Sequence, residues 1–83
     1  MPQQTSKKPN LDTIKLTATT LILAEGTTTT LEVKNKLRSQ GYTAYQEDIS
    51  RQMHQIAEAE GWLAHDNGLF LIYTFPQLGL MPQ

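Results

Sequence analysis

The 83 residues contain no cysteine. A disulfide scaffold and any thiolate metal site are therefore excluded, and an intracellular setting is permitted. Long hydrophobic runs are also missing. The longest, LILA (Leu21–Ala24) and LFLIY (Leu69–Tyr73), fall far short of the roughly 20 residues that span a bilayer, so no membrane partner is expected. The N-terminal MPQQTSKKPN carries two lysines but no apolar segment of signal-peptide type behind them, which points to the cytoplasm. An excess of one charge is lacking too: the net charge is −1, where a nucleic-acid-binding domain is usually basic.

Catalytic patterns are absent as well. There is no phosphate-cradling glycine loop, no nucleophile with a partnered base and no matched carboxylate pair. His54 and His65 are the only histidines, with no third ligand at metal spacing. The expectation is no catalytic residue, no metal, no cofactor and no enzyme activity.

What is present suits one small domain. Apolar residues make up 39% and charged residues 18%, which rules against a chain disordered throughout, and the length allows one modest core. The charge is divided along the chain. Lys7, Lys8, Lys15, Lys34, Lys36 and Arg38 make the first half basic, against Asp12, Glu25 and Glu32. Glu47, Asp48, Glu58, Glu60 and Asp66 surround Arg51 in the second.

Residues 1–10 show no apolar periodicity and read as a disordered arm, or alternatively a basic arm that touches phosphates. Over residues 11–25, Leu11, Ile14, Ala18, Leu21 and Ile22 share one arc at helical spacing, with Asn10 as cap and Gly26 as stop. Leu16 and Leu23 lie off that arc. The threonine and isoleucine content leaves a strand as the alternative. The run Thr27–Thr30 ends one element and starts the next. Thr29 and Glu32 form a capping box, and Val33 and Leu37 mark the buried side of a second helix that ends at Gly41.

Tyr42 and Thr43 make a turn, with Thr43 as N-cap and Gln46 completing its box. A helix over residues 44–60 follows, with Tyr45, Ile49, Met53 and Ile56 as its apolar stripe. Ala44, Glu47, Ser50, Arg51, His54 and Glu58 form the opposite face, and Gly61 ends it. Asp66-Asn67-Gly68 predicts a hairpin turn in which Asn-Gly takes positive φ angles, between strands at 62–65 and 69–75, and Pro76 stops the second strand. Residues 77–83 form a loose tail. The predicted domain therefore spans residues 11–76. Its fold class is mainly α with a small β-hairpin: three helices plus a wing, a winged helix-turn-helix.

Three runs carry a family resemblance. LRSQGY (Leu37–Tyr42), QEDISRQM (Gln46–Met53) and IYTFP (Ile72–Pro76), in this order and spacing, resemble the N-terminal DNA-binding domain of bacterial arginine repressors. The resemblance covers about Thr29 to Pro76. It implies a bacterial transcription regulator whose helix 44–60 enters the major groove of double-stranded DNA, with contacts from Ser50 and Arg51 and a further one from Gln46. The family's second domain, which binds arginine and assembles hexamers, has no counterpart in these residues, so neither property is carried over.

The residues support such a site on their own terms. Arg51 offers a bidentate fork to guanine or a pair to phosphate, and Ser50 reaches a phosphate or a base edge. Against this stands a solvated Arg51 paired with Glu47. Lys34, Lys36 and Arg38 are candidate phosphate contacts or an ordinary solvated helix face, and Asn67 places the wing tip near the backbone. Tyr42, Trp62, Tyr73 and Phe75 are read as core under the wing. One domain of this size needs a homodimer or tandem sites for useful specificity. The alternative function is a winged-helix protein–protein interaction module that binds no DNA, which the acidic flank of helix 44–60 and the apolar Leu78–Met81 favour.

Overall fold

The computed structural model describes residues 7–76. The chain runs α1 (Leu11–Glu25), β1 (Thr28–Thr29), α2 (Thr30–Ser39), α3 (Gln46–Glu60), β2 (Leu63–Asp66) and β3 (Leu71–Thr74). Three helices and a small antiparallel sheet in the order β1-β3-β2 make a mainly helical, winged-helix layout. The flanks 1–6 and 77–83, including most of the expected arm and the whole tail, lie outside the described residues.

Residues 11–25 are helical. The Asn10 side chain accepts a hydrogen bond from the Thr13 backbone N–H at 2.8 Å, and Gly26 closes the helix at φ 90°. Burial outweighs the modest propensity of its threonines and isoleucines: Ile14, Thr17, Ala18 and Ile22 are buried, while Leu16 and Leu23 project outward. At the far end, the Lys15 ammonium donates to the Glu60 carboxylate at 2.9 Å. That hydrogen bond and charge hold Lys15 above the usual 10.5.

The threonine run does more than separate two elements. Thr28 and Thr29 form β1, paired antiparallel with Tyr73 and Ile72 of β3, so the hairpin becomes a three-stranded sheet. Thr29 caps α2 as the sequence predicts, accepting from the Glu32 N–H at 3.2 Å. The Glu32 carboxylate instead accepts from the Thr28 hydroxyl at 3.2 Å. Thr29→Ala is expected to cost about 1 kcal/mol in urea unfolding, and Thr27→Ala, at an exposed position without this bond, close to nothing.

Helix α2 ends in a Schellman arrangement. Gly41 takes φ 94°, its N–H donates to the Arg38 carbonyl, and the Tyr42 N–H donates to the Leu37 carbonyl, both at 3.0 Å. The next residues correct the predicted helix start. Thr43 is not the cap: α3 begins at Gln46, and Tyr45 occupies the cap position without a side-chain cap bond. The reason is tertiary. Tyr42 pairs with Lys7 in a parallel bridge, the Thr43 N–H donates to the Lys7 carbonyl at 3.0 Å, and Arg38 Nε donates to the Ala44 carbonyl at 2.8 Å. These bonds hold 42–44 extended, so Ala44 is buried and Tyr45 is exposed, the reverse of their expected faces. The same contacts fold Lys7–Asn10 against the turn, with Pro9 buried, where a disordered arm was expected.

The hairpin is also shifted. Asp66 pairs with Leu71, so residues 67–70 make a four-residue loop rather than a tight Asn-Gly turn. Only Gly68 there takes positive φ. Asn67 acts through its side chain instead: its Oδ1 accepts from the Leu69 and Phe70 N–H groups at 2.9 and 3.0 Å, while Asp66 accepts from the Gly68 N–H at 2.8 Å.

The core joins Ile14, Ala18 and Ile22 to Val33 and Leu37, to Ile49, Met53 and Ile56, and to Tyr73 of β3. Tyr42, Trp62 and Phe75 pack half-buried at its edge, with the Trp62 and Phe75 rings 5.6 Å apart. The Tyr73 hydroxyl is buried and makes no hydrogen bond of ordinary geometry. Burial pushes its pKa above 10.0, and the adjacent Thr30 pulls it only part of the way back. Because the folded phenol titrates above the unfolded one, stability should be intact below about pH 10 and fall as pH rises through the folded pKa. Tyr73→Phe is expected to abolish this alkaline contribution and to raise stability at neutral pH by about 1 kcal/mol, as an unpaired buried hydroxyl is removed. Melting curves of both proteins across pH 7–11 would check it.

Candidate nucleic-acid interface

Helix α3 has a strict inside and outside. Ile49, Met53, Ile56 and Ala57 face the core, whereas Gln46, Glu47, Ser50, Arg51, His54 and Glu58 are exposed. The buried side packs on α1 and α2, so the polar face is held rigidly toward solvent. Glu47 and Asp48 stand in the first turn, where the helix dipole favours negative charge.

The expected contact residues divide between two concave surfaces. Gln46 and Ser50 border an open groove of about 820 Å³ between the starts of α2 and α3 and the hairpin loop. Its other walls are Thr27, Thr29, Thr30, Leu31 and Glu32 on one side and Leu69, Phe70, Leu71 and Ile72 on the other. Arg51 lies round the helix from this groove, in a smaller cleft of about 200 Å³ with Lys8, Pro9, Thr43 and Asp48. Ser50 and Arg51 are consecutive, and the helix's rotation of about 100° per residue sends them to different sides.

Charge pairing differs from the sequence expectation. Arg51 Nη2 meets Asp48 Oδ1 at 2.7 Å, an i,i+3 pair, rather than Glu47. Asp48 also lies 3.9 Å from the Lys8 ammonium. The Arg51 side chain remains 63% exposed, so the pair contributes little to stability and the remaining guanidinium N–H groups face solvent. His54 sits 3.9 Å from Glu58 on the same face.

The α2 cations do not form one patch. Lys34 and Arg38 share a flank at i and i+4, while Lys36 lies about 160° round the helix from Lys34. Arg38 is partly committed, because its Nε holds the Ala44 carbonyl. Lys34 is half-buried and Lys36 exposed, and neither has an ion pair among the described residues. Asn67 sits at the wing tip, but its side-chain oxygen is occupied by the loop backbone, leaving the amide NH₂ as its outward donor.

The apolar wall of the groove was not foreseen as part of a site. Leu69 is 86% and Phe70 50% exposed, with Leu31 opposite. The LFLIY run contains the signal, since alternating burial in β3 cannot hide all five residues. The wing tip carries Asp66 and His65 but no lysine or arginine.

Among the described residues no three histidine, aspartate or glutamate side chains gather as a metal site, and no helix is long and apolar enough to cross a membrane. Comparison with protein-family models, with curated proteins and with solved structures found no match to this chain.

Proposed function

We propose that this chain binds double-stranded DNA as a small regulator, with α3 in the major groove and the β2–β3 hairpin as a wing. The observation that carries the reading is the uncovered polar face of α3. Gln46, Ser50 and Arg51 point outward from a helix whose other side is locked into the core, directly after a helix-turn-helix connection and directly before a hairpin. The fragments resembling arginine-repressor DNA-binding domains fall on these same elements. In this arrangement Ser50 and Gln46 approach bases or backbone from the groove side. Arg51 approaches from about 100° further round α3, and Lys34 and Arg38, on one flank of α2, supply phosphate contacts.

The acidic neighbours set the terms. Glu47 and Glu58 stand on the contact face and Asp48 competes for Arg51, so binding is expected to be weak and strongly salt-dependent. With three cationic contacts (Lys34, Arg38 and Arg51), log K should fall with log salt at a slope of roughly −2 to −3. Titration of mixed-sequence duplex DNA over a salt series measures this. No binding at low salt sinks the proposal.

One observation favours a second reading, a protein-interaction module: the groove beside Ser50 has an apolar wall of Leu31, Leu69 and Phe70, and the wing tip lacks lysine and arginine. Absence of DNA binding at low salt would leave that reading standing.

A further inference from the structure

The segment Lys7–Asn10 is a strap fixed at both ends. At one end Lys7 forms the parallel bridge with Tyr42, and its carbonyl accepts the Thr43 N–H at 3.0 Å. At the other, the Asn10 side chain accepts from the Thr13 N–H and caps α1. Pro9 is buried between them, and its fixed φ and missing N–H suit a short buried stretch with no partner to donate to. Lys8 therefore projects from an anchored backbone beside the start of α3. Its ammonium lies 3.9 Å from Asp48 Oδ2, while Arg51 Nη2 holds the other oxygen of that carboxylate, Oδ1, at 2.7 Å.

The three side chains line one cleft. Asp48 is the least exposed of them, at 35% against 71% for Lys8 and 63% for Arg51. A carboxylate accepts at both oxygens, but only Arg51 donates to it here, since 3.9 Å is beyond hydrogen-bond reach. Turning the Arg51 fork toward DNA breaks the 2.7 Å bond and leaves a negative charge uncompensated near the phosphates. We propose that Lys8 is a positioning residue for Arg51: as the guanidinium swings to DNA, the Lys8 ammonium closes on Asp48 and takes over the carboxylate. An ammonium on a flexible aliphatic stem makes that closure by a rotamer change alone. Among the described residues Asp48 has no third cation within ion-pair distance, so the exchange falls to Lys8. The strap's part is to hold Lys8 within reach of Asp48. This inference rests on the DNA reading of α3 proposed above.

The test is a double-mutant cycle on DNA affinity, read by fluorescence anisotropy with one labelled duplex over a salt series. Wild type, Lys8→Gln, Asp48→Asn and the double variant are compared. Lys8→Gln is expected to weaken binding about threefold. Its salt slope should match that of the wild type, because Lys8 pairs with a carboxylate and not with a phosphate. In the Asp48→Asn background the same substitution should change affinity by less than about 1.5-fold, since the group it serves is gone. Far-UV dichroism and melting should be the same for wild type and Lys8→Gln, whose exposed side chain makes no hydrogen bond to the fold. Two results overturn the exchange: a Lys8→Gln protein that binds as tightly as wild type, or a loss of affinity that persists in Asp48→Asn with a slope shallower by about one, which makes Lys8 a phosphate contact itself. Failure of the wild type to bind at low salt overturns the DNA reading and this inference together, whereas wild-type binding with a silent Lys8→Gln overturns this inference alone.

Discussion

Leu37→Ala is expected to remove about 2–5 kcal/mol of stability. Leu37 is fully buried, and it lies where α2 meets the rest of the core and the turn leading to α3 begins. Its side chain fills space among α1, α2 and α3, and its carbonyl accepts the Tyr42 N–H that closes the helix. Truncation leaves a cavity in a domain whose total stability is of order 4–12 kcal/mol for this length. The thermal midpoint should drop by more than about 10 °C, and the variant should be partly unfolded at physiological temperature. Leu23→Ala is the matched control. The same chemical change at an exposed position should stay within about 0.5 kcal/mol. Equal effects from the two substitutions would contradict the assignment of inside and outside on these helices. Calorimetry or urea unfolding of both variants provides the comparison.

Arg51→Ala and Asp48→Asn should move DNA affinity in opposite directions. Arg51 is half of an exposed ion pair, so its loss should barely change stability. It is also the one cation on the exposed face of α3. If it contacts a guanine edge, its removal costs about 1–3 kcal/mol, a weakening of roughly 5- to 150-fold. If it contacts phosphate, the salt slope also becomes shallower by about one unit. Asp48→Asn releases the guanidinium from its 2.7 Å partner and removes a negative charge near the phosphates. It should therefore tighten binding, at the cost of a few tenths of a kcal/mol of favourable dipole interaction at the start of α3. Fluorescence anisotropy with one labelled duplex at low salt reads both. Unchanged affinity in both variants would remove Arg51 from the interface and leave Ser50 and Gln46, on the groove side, to carry contact alone.

The pairing of Arg51 with Asp48 shows how far local pattern reaches. The i,i+3 spacing was available in the sequence, but so was Glu47 at i−4, and spacing alone does not choose between two carboxylates one residue apart. The division of Ser50 from Arg51 follows from helical rotation, yet which flank meets the hairpin depends on how α3 is docked. Arg38 illustrates the same limit. Its position among lysines suggests a phosphate contact, whereas its Nε is bonded to a carbonyl six residues away that local periodicity does not locate.

The sequence by itself determined the helices, the order of elements and most of the core. Asn10, Gly26, Thr29, Gly41 and Gly61 are local stop and start signals, each acting within a few residues of its own backbone. The 3.6-residue period of Ile14, Ala18 and Ile22, and of Ile49, Met53 and Ile56, reports burial directly. Only the tertiary structure decided the rest. Strand β1 exists because Thr28 and Thr29 meet β3 more than 40 residues later in the chain. Helix α3 starts at Gln46 rather than Ala44 because Lys7 and Arg38 hold residues 42–44 extended. The groove beside Gln46 and Ser50 arises because the hairpin loop comes to rest against the starts of two helices. These features depend on contacts between residues distant in sequence, whose pairing is selected by packing of the whole domain and leaves no periodic trace in any one segment.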